Sequence, residues 1–266
     1  MKRIFLEFIA FAVLFFLLWG LLSRVNMIKL FQVQQMQQSL ESNIGNLIWD
    51  SIQETETEIK DSTAVVIVDS IKNRICLANG IDGEAVKIHI MKRGEVNAFA
   101  LPAGHLIINS EIIRYSDNAE ELSSVMAHEI AHIQRGHVMR KIVKELGINL
   151  VFFVFGRGSG GEVARQITGV ISSSAYDRSL ESEADEMAVC YMLKSDIDPS
   201  HFSDLMTKLA KESRNIPKLL SWINTHPDSE ERAANIMKLR GKYGKYNNPV
   251  LSSGTWKLLL RQINER

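Results

Sequence analysis

Residues 127–137 read AHEIAHIQRGH, with two histidines four positions apart and a glutamate directly after the first. On a helix, residues at i and i+4 share a face, so His128 and His132 can present two imidazoles to one cation. Glu129 sits about 100° further round the axis, able to reach a metal-bound water without being a ligand. At this chain's content of histidine and glutamate, chance supplies the pattern in roughly 0.014 chains, so two ordinary surface histidines account for it poorly. A catalytic zinc of this kind needs a third protein ligand and an open position for water.

Three sources of that ligand suggest themselves. An elongated motif would need glycine at position 135 and histidine at position 138, but Arg135 and Val138 stand there. His137 lies five residues past His132, about 140° round a continuous helix, and so points elsewhere. The second source is ESEAD (181–185), inside the helical stretch SLESEADEMAVCYML. Glu181 and Asp185 are four apart and can face the site together. A carboxylate ligand beside an aspartate that hydrogen-bonds the outer nitrogen of a zinc-bound histidine is sound chemistry. Glu183, about 200° from Glu181, is expected to face solvent. The third source is another histidine. His89, His105 and His201 read as structural, whereas His226, in NTHPDSEERAANI (224–236), is set at a rigid turn by the proline after it. It can bind the cation or stabilise a developing oxyanion.

The elements that must position these groups follow from composition and periodicity. With 266 residues, 45% hydrophobic, and 31 basic against 31 acidic side chains, the chain can bury a full core and is no general polyanion binder, which excludes nucleic acid as partner. Cys76 and Cys190 exclude a disulfide framework and a thiolate-rich zinc module, and read as two buried free thiols. Ile4–Leu22 is apolar except for Glu7 and follows Lys2 and Arg3. Its length matches a ~30 Å hydrocarbon core, exceeds a signal-peptide core of ~7–15 residues, and precedes no small-residue cleavage site. Residues 1–25 therefore read as a retained membrane anchor, with Trp19 at the interface. The short amino-terminal tail stays cytoplasmic, and everything after Leu22 is periplasmic or extracytoplasmic. Residues 26–60 carry Val33, Met36, Leu40, Ile44, Leu47, Ile48 and Ile52 at helical spacing, as a stalk or a helix packed on the domain. Residues 61–266 form the domain proper.

Within it, Asp61-Ser62-Thr63 offers caps for a helix closed by Asn79-Gly80. AVKIHIM (85–91), VNAFALP (96–102) and HLIIN (105–109) alternate as strands around the turn KRGE (92–95), which predicts a three-stranded meander. Helical patterns dominate thereafter. Asp117 caps the segment that carries the histidines, Gly136 bends or ends it, Leu146–Phe155 reads as a core helix, and GRGSGG (156–161) as a surface loop. The fold class is α+β and mainly helical.

Taken in order, NAFALPAGHLIINSEII (97–113), HEIAH (128–132), YDRSLESEAD (176–185) and THPDSEERAANI (225–236) resemble the HtpX-like zinc metalloendopeptidases, metallopeptidase family forty-eight, which includes the CaaX prenyl proteases and the Oma-type proteases. The resemblance covers roughly residues 60 to 240 and is closest to short periplasmic members. It implies a zincin-like (gluzincin) fold holding one Zn2+ per chain through His128, His132 and Glu181. It further implies Glu129 as base, Asp185 supporting a ligand, His226 assisting the transition state and Arg232 as a structural or carboxylate-binding partner. The chain departs from the family's Ser-Arg before the third-ligand motif, where Asp177-Arg178-Ser179 stands. It has one apolar span and not several, so prenylated substrates are not implied. Polypeptide substrate is expected to lie extended against Val96–Leu101, touching Asn97 and Ala98. The expected function is zinc-dependent cleavage of unfolded or misassembled envelope proteins. The alternatives are a membrane-tethered chaperone or assembly factor with latent protease activity, and a zinc hydrolase of non-peptide substrates; homo-oligomerisation is left open.

Overall fold

The HEIAH segment lies on a helix that must be shielded on every side, and the computed structural model of the chain shows what shields it. The structure describes residues 33–147, 160–173, 175–213, 221–227, 229–241 and 248–265, together with Glu7, Phe11, Leu14 and Phe15. The chain divides into two units, Met1–Glu41 and Ser42–Arg266. In the first, Glu7, Phe11, Leu14 and Phe15 are helical and exposed. The rest of the expected anchor lies outside the described residues, among which no helix is long and apolar enough to cross a membrane.

Helix α1 (Val33–Thr55) buries Ile44, Ile48 and Ile52 at four-residue spacing, with Trp49 beside them, so from Ser42 onward it packs within the second unit. Gly45 permits its close approach, since a Cβ there would stand 2.3 Å from the Pro102 carbonyl oxygen. Helix α2 (Ser62–Asn79) begins where Asp61 accepts from the Thr63 and Ala64 amides at 2.9 and 3.0 Å, and ends at Gly80 with φ 65°.

The sheet corrects the expected meander. Strands β1 (Lys87–Met91), β2 (Ala98–Ala100) and β3 (His105–Asn109) lie in the order β1–β3–β2, with β3 parallel to β1 and antiparallel to β2. All five residues of β3 are buried, which suits the central position. The KRGE turn closes no hairpin because the edge of β1 is already taken. The Lys92 amide donates to Thr57 O at 2.8 Å and the Ile59 amide to Ile90 O at 2.7 Å. The hairpin forms later, across Pro102–Gly104, where the Leu101 amide bonds His105 O at 2.8 Å.

Helices then follow: α3 (Ser110–Tyr115), α4 (Ala119–Gln134), α5 (His137–Leu146), α6 (Gly160–Ser173), α7 (Arg178–Lys194), α8 (Ser200–Ser213), α9 (Ser221–Thr225), α10 (Ser229–Arg240) and α11 (Ser253–Asn264). The cap of α4 is Asn118 and not Asp117: Asn118 Oδ1 accepts from the Glu121 amide, and Glu121 Oε2 accepts in return from the Asp117 amide, both at 2.9 Å. Every residue from Glu121 to His132 is buried, because β2, α7 and α8 all pack on this helix. Residues 148–159, most of the expected apolar helix and surface loop, lie outside the described residues, and Gly160 and Gly161 already belong to α6. Cys76 is buried and its thiol pushed up to about 11 by that burial; Cys190 is exposed, on the outer face of α7, contrary to the expectation that both would be buried.

A polar chain joins α1 to the sheet. His89 Nδ1 lies 3.0 Å from Glu58 Oε1, His89 Nε2 lies 2.9 Å from His105 Nδ1, and the Trp49 ring stacks on His89. Burial, then the neighbouring His89 and Lys87, lowers His105 to about 4. A histidine whose pKa falls on folding stabilises the fold above its unfolded value near 6.5 and loses that contribution as the pH drops towards 4.

Two outcomes are expected. Gly45→Ala should lower the urea midpoint of unfolding, although helix propensity alone would raise stability by about 1 kcal/mol. Urea stability of the wild-type chain should fall between pH 7 and pH 5, and His105→Asn should lose less over the same interval.

Candidate metal centre and active site

Three side chains from two helices converge. His128 and His132 project from α4 and Glu181 from the first turn of α7, and all three are buried. The nitrogens His128 Nε2 and His132 Nε2 stand 3.0 Å apart. Glu181 Oε2 lies 3.6 Å from the first and Glu181 Oε1 3.4 Å from the second. A tetrahedron with bonds of ~2.0–2.1 Å has edges of about 3.3 Å, so these donors are spaced as ligands of one small cation. His226 completes the group, the one such cluster among the described residues: donor atoms of His128, His132, Glu181 and His226 all lie within 4.8 Å of one another. His226 Nδ1 is 3.2 Å from His128 Nε2 and 2.9 Å from Glu181 Oε1.

Electrostatics point the same way. Burial drives His132 well below its ordinary pKa, leaving a neutral imidazole with a lone pair to offer. Burial alone would raise Glu181, yet first the charge of His226 and then that of Arg232 hold it well below the carboxylate range. Glu181 Oε2 accepts no hydrogen bond, although Arg232 Nη1 stands 2.7 Å away. Buried donors of this chemistry fit zinc: imidazole nitrogen and carboxylate oxygen, held by a surrounding shell.

That shell is explicit. Asp185 Oδ1 lies 3.0 Å from His128 Nδ1, off the line of an ideal hydrogen bond. Arg232, from α10, grips Asp185 with a two-point fork, Nε to Oδ2 and Nη2 to Oδ1, each at 2.8 Å, and donates through Nη1 to the His226 carbonyl at 3.1 Å. One guanidinium thus ties together a ligand helix, the aspartate behind a ligand and the turn carrying His226.

Glu129 is wholly buried beside this cluster. Its Oε2 accepts from the Ala100 amide and its Oε1 from the Trp222 indole, both at 3.1 Å, and His226 Nε2 is 3.3 Å from Oε1. Ala98, the first residue of β2, and Asn97 just before it lie close by but are not equivalent. The Asn97 carbonyl accepts from Asn109 within the sheet at 3.0 Å. Ala98, one residue on, turns its backbone groups to the opposite edge, where Val96 O takes the Trp222 amide at 3.1 Å and Ala100 meets Glu129. Of the two expected substrate contacts, the geometry aims the backbone of Ala98 at the site and engages the carbonyl of Asn97 in the sheet.

Four residues of this neighbourhood escape sequence reasoning. His137, expected to point elsewhere, is buried with Nδ1 3.1 Å from His132 Nδ1, and its Nε2 is 3.2 Å from Glu183 Oε2. Glu183 is thus not simply a solvent-facing acid; it also pairs with Arg135 at 3.1 Å. Tyr176 packs its ring 4.2 Å from His132 and takes the buried Lys141 ammonium over that ring at 4.0 Å. Trp222 stands four residues before His226, so the two share a helical face, the one signal that could have found it.

A buried pair of imidazoles, a carboxylate from a second helix and a glutamate beside them define a metallopeptidase centre. The chain belongs to peptidase family M48, whose sequence pattern matches residues 67–240. It is similar to the beta-barrel assembly-enhancing protease of Yersinia pestis, 26% identical over 189 residues that make up 65% of this chain and 38% of that protein. It is also similar to the metalloprotease LoiP of Escherichia coli (strain K12), 29% identical over 167 residues, 60% of this chain and 65% of that one. The mitochondrial metalloendopeptidase OMA1 of Schizosaccharomyces pombe is 24% identical over 171 residues, 64% of this chain and 51% of that protein. The chain thus spans well under half the length of the beta-barrel assembly-enhancing proteases it matches.

Replacing Arg232 with Ala leaves Glu181 and Asp185 buried without their cation. It is expected to destabilise the zinc-free protein by about 3–5 kcal/mol in chemical denaturation, with part of the loss restored on adding zinc.

Proposed function

We propose that the chain is a zinc-dependent endopeptidase of the cell envelope, acting on unfolded or misassembled proteins. The observation that carries this reading is the convergence of His128, His132, Glu181 and His226 within 4.8 Å beside Glu129. One Zn2+ held by His128, His132 and Glu181 supplies Lewis-acid activation of water and of the scissile carbonyl. Glu129 takes a proton from the attacking water at its carboxylate and returns one to the leaving amine. Asp185 orients His128, and Arg232 fixes Asp185 in turn. His226 can donate a hydrogen bond to the tetrahedral oxyanion, worth about 10²–10³ in turnover for such a donor. Substrate lies extended along the outer edge of β2, where Ala98 offers its backbone and little side chain, so selection rests on main chain more than on sequence.

The envelope assignment is supported by the names of the relatives and by the apolar run Ile4–Leu22, which we read as the membrane anchor that tethers an extracytoplasmic domain. A second reading, an assembly factor whose protease activity is latent, is favoured by two observations. His226 Nδ1 stands among the donor atoms, and Trp222 holds both Glu129 and Val96, just before β2.

Glu129→Gln separates the two. It should abolish cleavage of unfolded casein while binding zinc one-to-one, whereas an assembly activity would survive it. His132→Ala and Glu181→Gln should lose the metal by elemental analysis; stoichiometric zinc in Glu181→Gln would move the third ligand to His226.

A further inference from the structure

His128 has an evident orienting partner in Asp185, but the sequence offers none for His132. The structure assigns one. We propose that His137 and Glu183 form a positioning relay that keeps the proton of His132 on Nδ1 and so holds its Nε2 lone pair towards the metal. The inference rests on the zinc-site reading above.

The proton assignment follows from what each atom can do. A carboxylate only accepts, so His137 Nε2, 3.2 Å from Glu183 Oε2, is the donor of that contact. A neutral imidazole carries one N–H, which leaves His137 Nδ1 as an acceptor. It faces His132 Nδ1 at 3.1 Å, and that contact is a hydrogen bond only if His132 donates. His132 Nε2 is then bare, and it is the atom 3.0 Å from His128 Nε2 and 3.4 Å from Glu181 Oε1.

The backbone arranges this. Gly136, at φ 63°, ends α4 and lets α5 start at His137 in a new direction, which swings that ring back under His132. His137 is fully buried, and its ring meets that of His132 edge-on with centroids 5.0 Å apart. The far end of the relay is at the surface. The Glu183 side chain is 36% exposed and is steadied by Arg135 Nε at 3.1 Å. The two histidine ligands are thus held by unlike devices: His128 by a carboxylate buried against Arg232, and His132 through an intervening imidazole by a carboxylate that solvent reaches.

The test measures zinc itself. Zinc-loaded wild-type protein, Glu183→Ala, His137→Phe and His137→Gln are titrated with a chromophoric chelator, and the histidine tautomers are read from long-range proton–nitrogen imidazole spectra. Outer-sphere partners of this kind are worth about 10–100-fold in metal affinity. Glu183→Ala should weaken zinc about tenfold, and His137→Phe more. His137→Gln should recover part of the loss, because an amide oxygen can accept from His132 Nδ1. The far-UV spectrum of zinc-free Glu183→Ala should match wild type, and His132 should carry its proton on Nδ1 in the wild-type protein. Unchanged zinc affinity in Glu183→Ala together with His137→Phe, or a proton on His132 Nε2 in wild type, overturns the relay. Should His137→Phe fail to fold, Glu183→Ala and His137→Gln decide. A wild-type protein that takes up no zinc overturns the zinc reading and the relay together, whereas tight wild-type binding with indifferent variants overturns the relay alone.

Discussion

Two buried imidazole nitrogens 3.0 Å apart cannot both present lone pairs to each other without cost. Around them stand Glu129, Glu181 and Asp185, all buried, with Arg232 as the close counter-charge and Lys141 further off behind Tyr176. Removing charges from water costs several kcal/mol per ion unless each is paired and hydrogen-bonded. A cation among the donors, as proposed above, would answer both demands: it would separate the lone pairs and offset the excess of carboxylate. Arg232 already answers part of the second. The site is thus a place where folding leaves positive charge wanting, which a bound metal would supply.

Keeping that arrangement buried dictates the architecture around α4. A helix buried on every side from Glu121 to His132 needs neighbours all round, which β2, α7 and α8 supply. The groups of the site also come from points of low freedom. Glu181 sits in the first turn of α7, and His226 sits where α9 ends, its amide bonded to Trp222 O at 2.9 Å and its carbonyl to Arg232 at 3.1 Å. Each therefore has its direction set by backbone as well as by packing, the pre-organisation that a hydrolytic centre requires.

What was legible in the amino-acid order was whatever depends on local spacing. His128, Glu129 and His132 share a helix, Glu181 and Asp185 share another, and the caps at Asp61 and Gly80 mark α2, all at offsets that periodicity reads directly. What was not legible depends on partners far away in sequence. Alternation identifies β1, β2 and β3 but says nothing of their order, in which β3, bonded along both edges, holds the middle place. The placing of His137 by rotation about one axis failed because a left-handed glycine intervenes, so the helix phase restarts at that residue. Asp117 and Asn118 are a one-residue choice that only the capping hydrogen bonds settle. Trp222 bonds to Val96 and Glu129 across more than ninety positions, a distance at which a single tryptophan carries no pattern.

The chain builds one arrangement twice, and the difference between the copies shows what makes a histidine a ligand. Glu58, His89 and His105 run carboxylate to imidazole to imidazole, as Glu183, His137 and His132 do, with comparable distances of 3.0 and 2.9 Å against 3.2 and 3.1 Å. In the first chain the outermost nitrogen, His105 Nε2, meets the neutral side chain of Asn46 at 3.4 Å, and Trp49 covers the rings, so the series ends in a hydrogen bond and does no more than join α1 to the sheet. In the second the outermost nitrogen meets another lone pair and a carboxylate. A histidine pair is therefore no evidence of a metal by itself, in sequence or in space. The deciding feature is what the last nitrogen faces: a neutral amide closes a structural chain, whereas a second imidazole nitrogen and a buried carboxylate make a donor set that fits a cation.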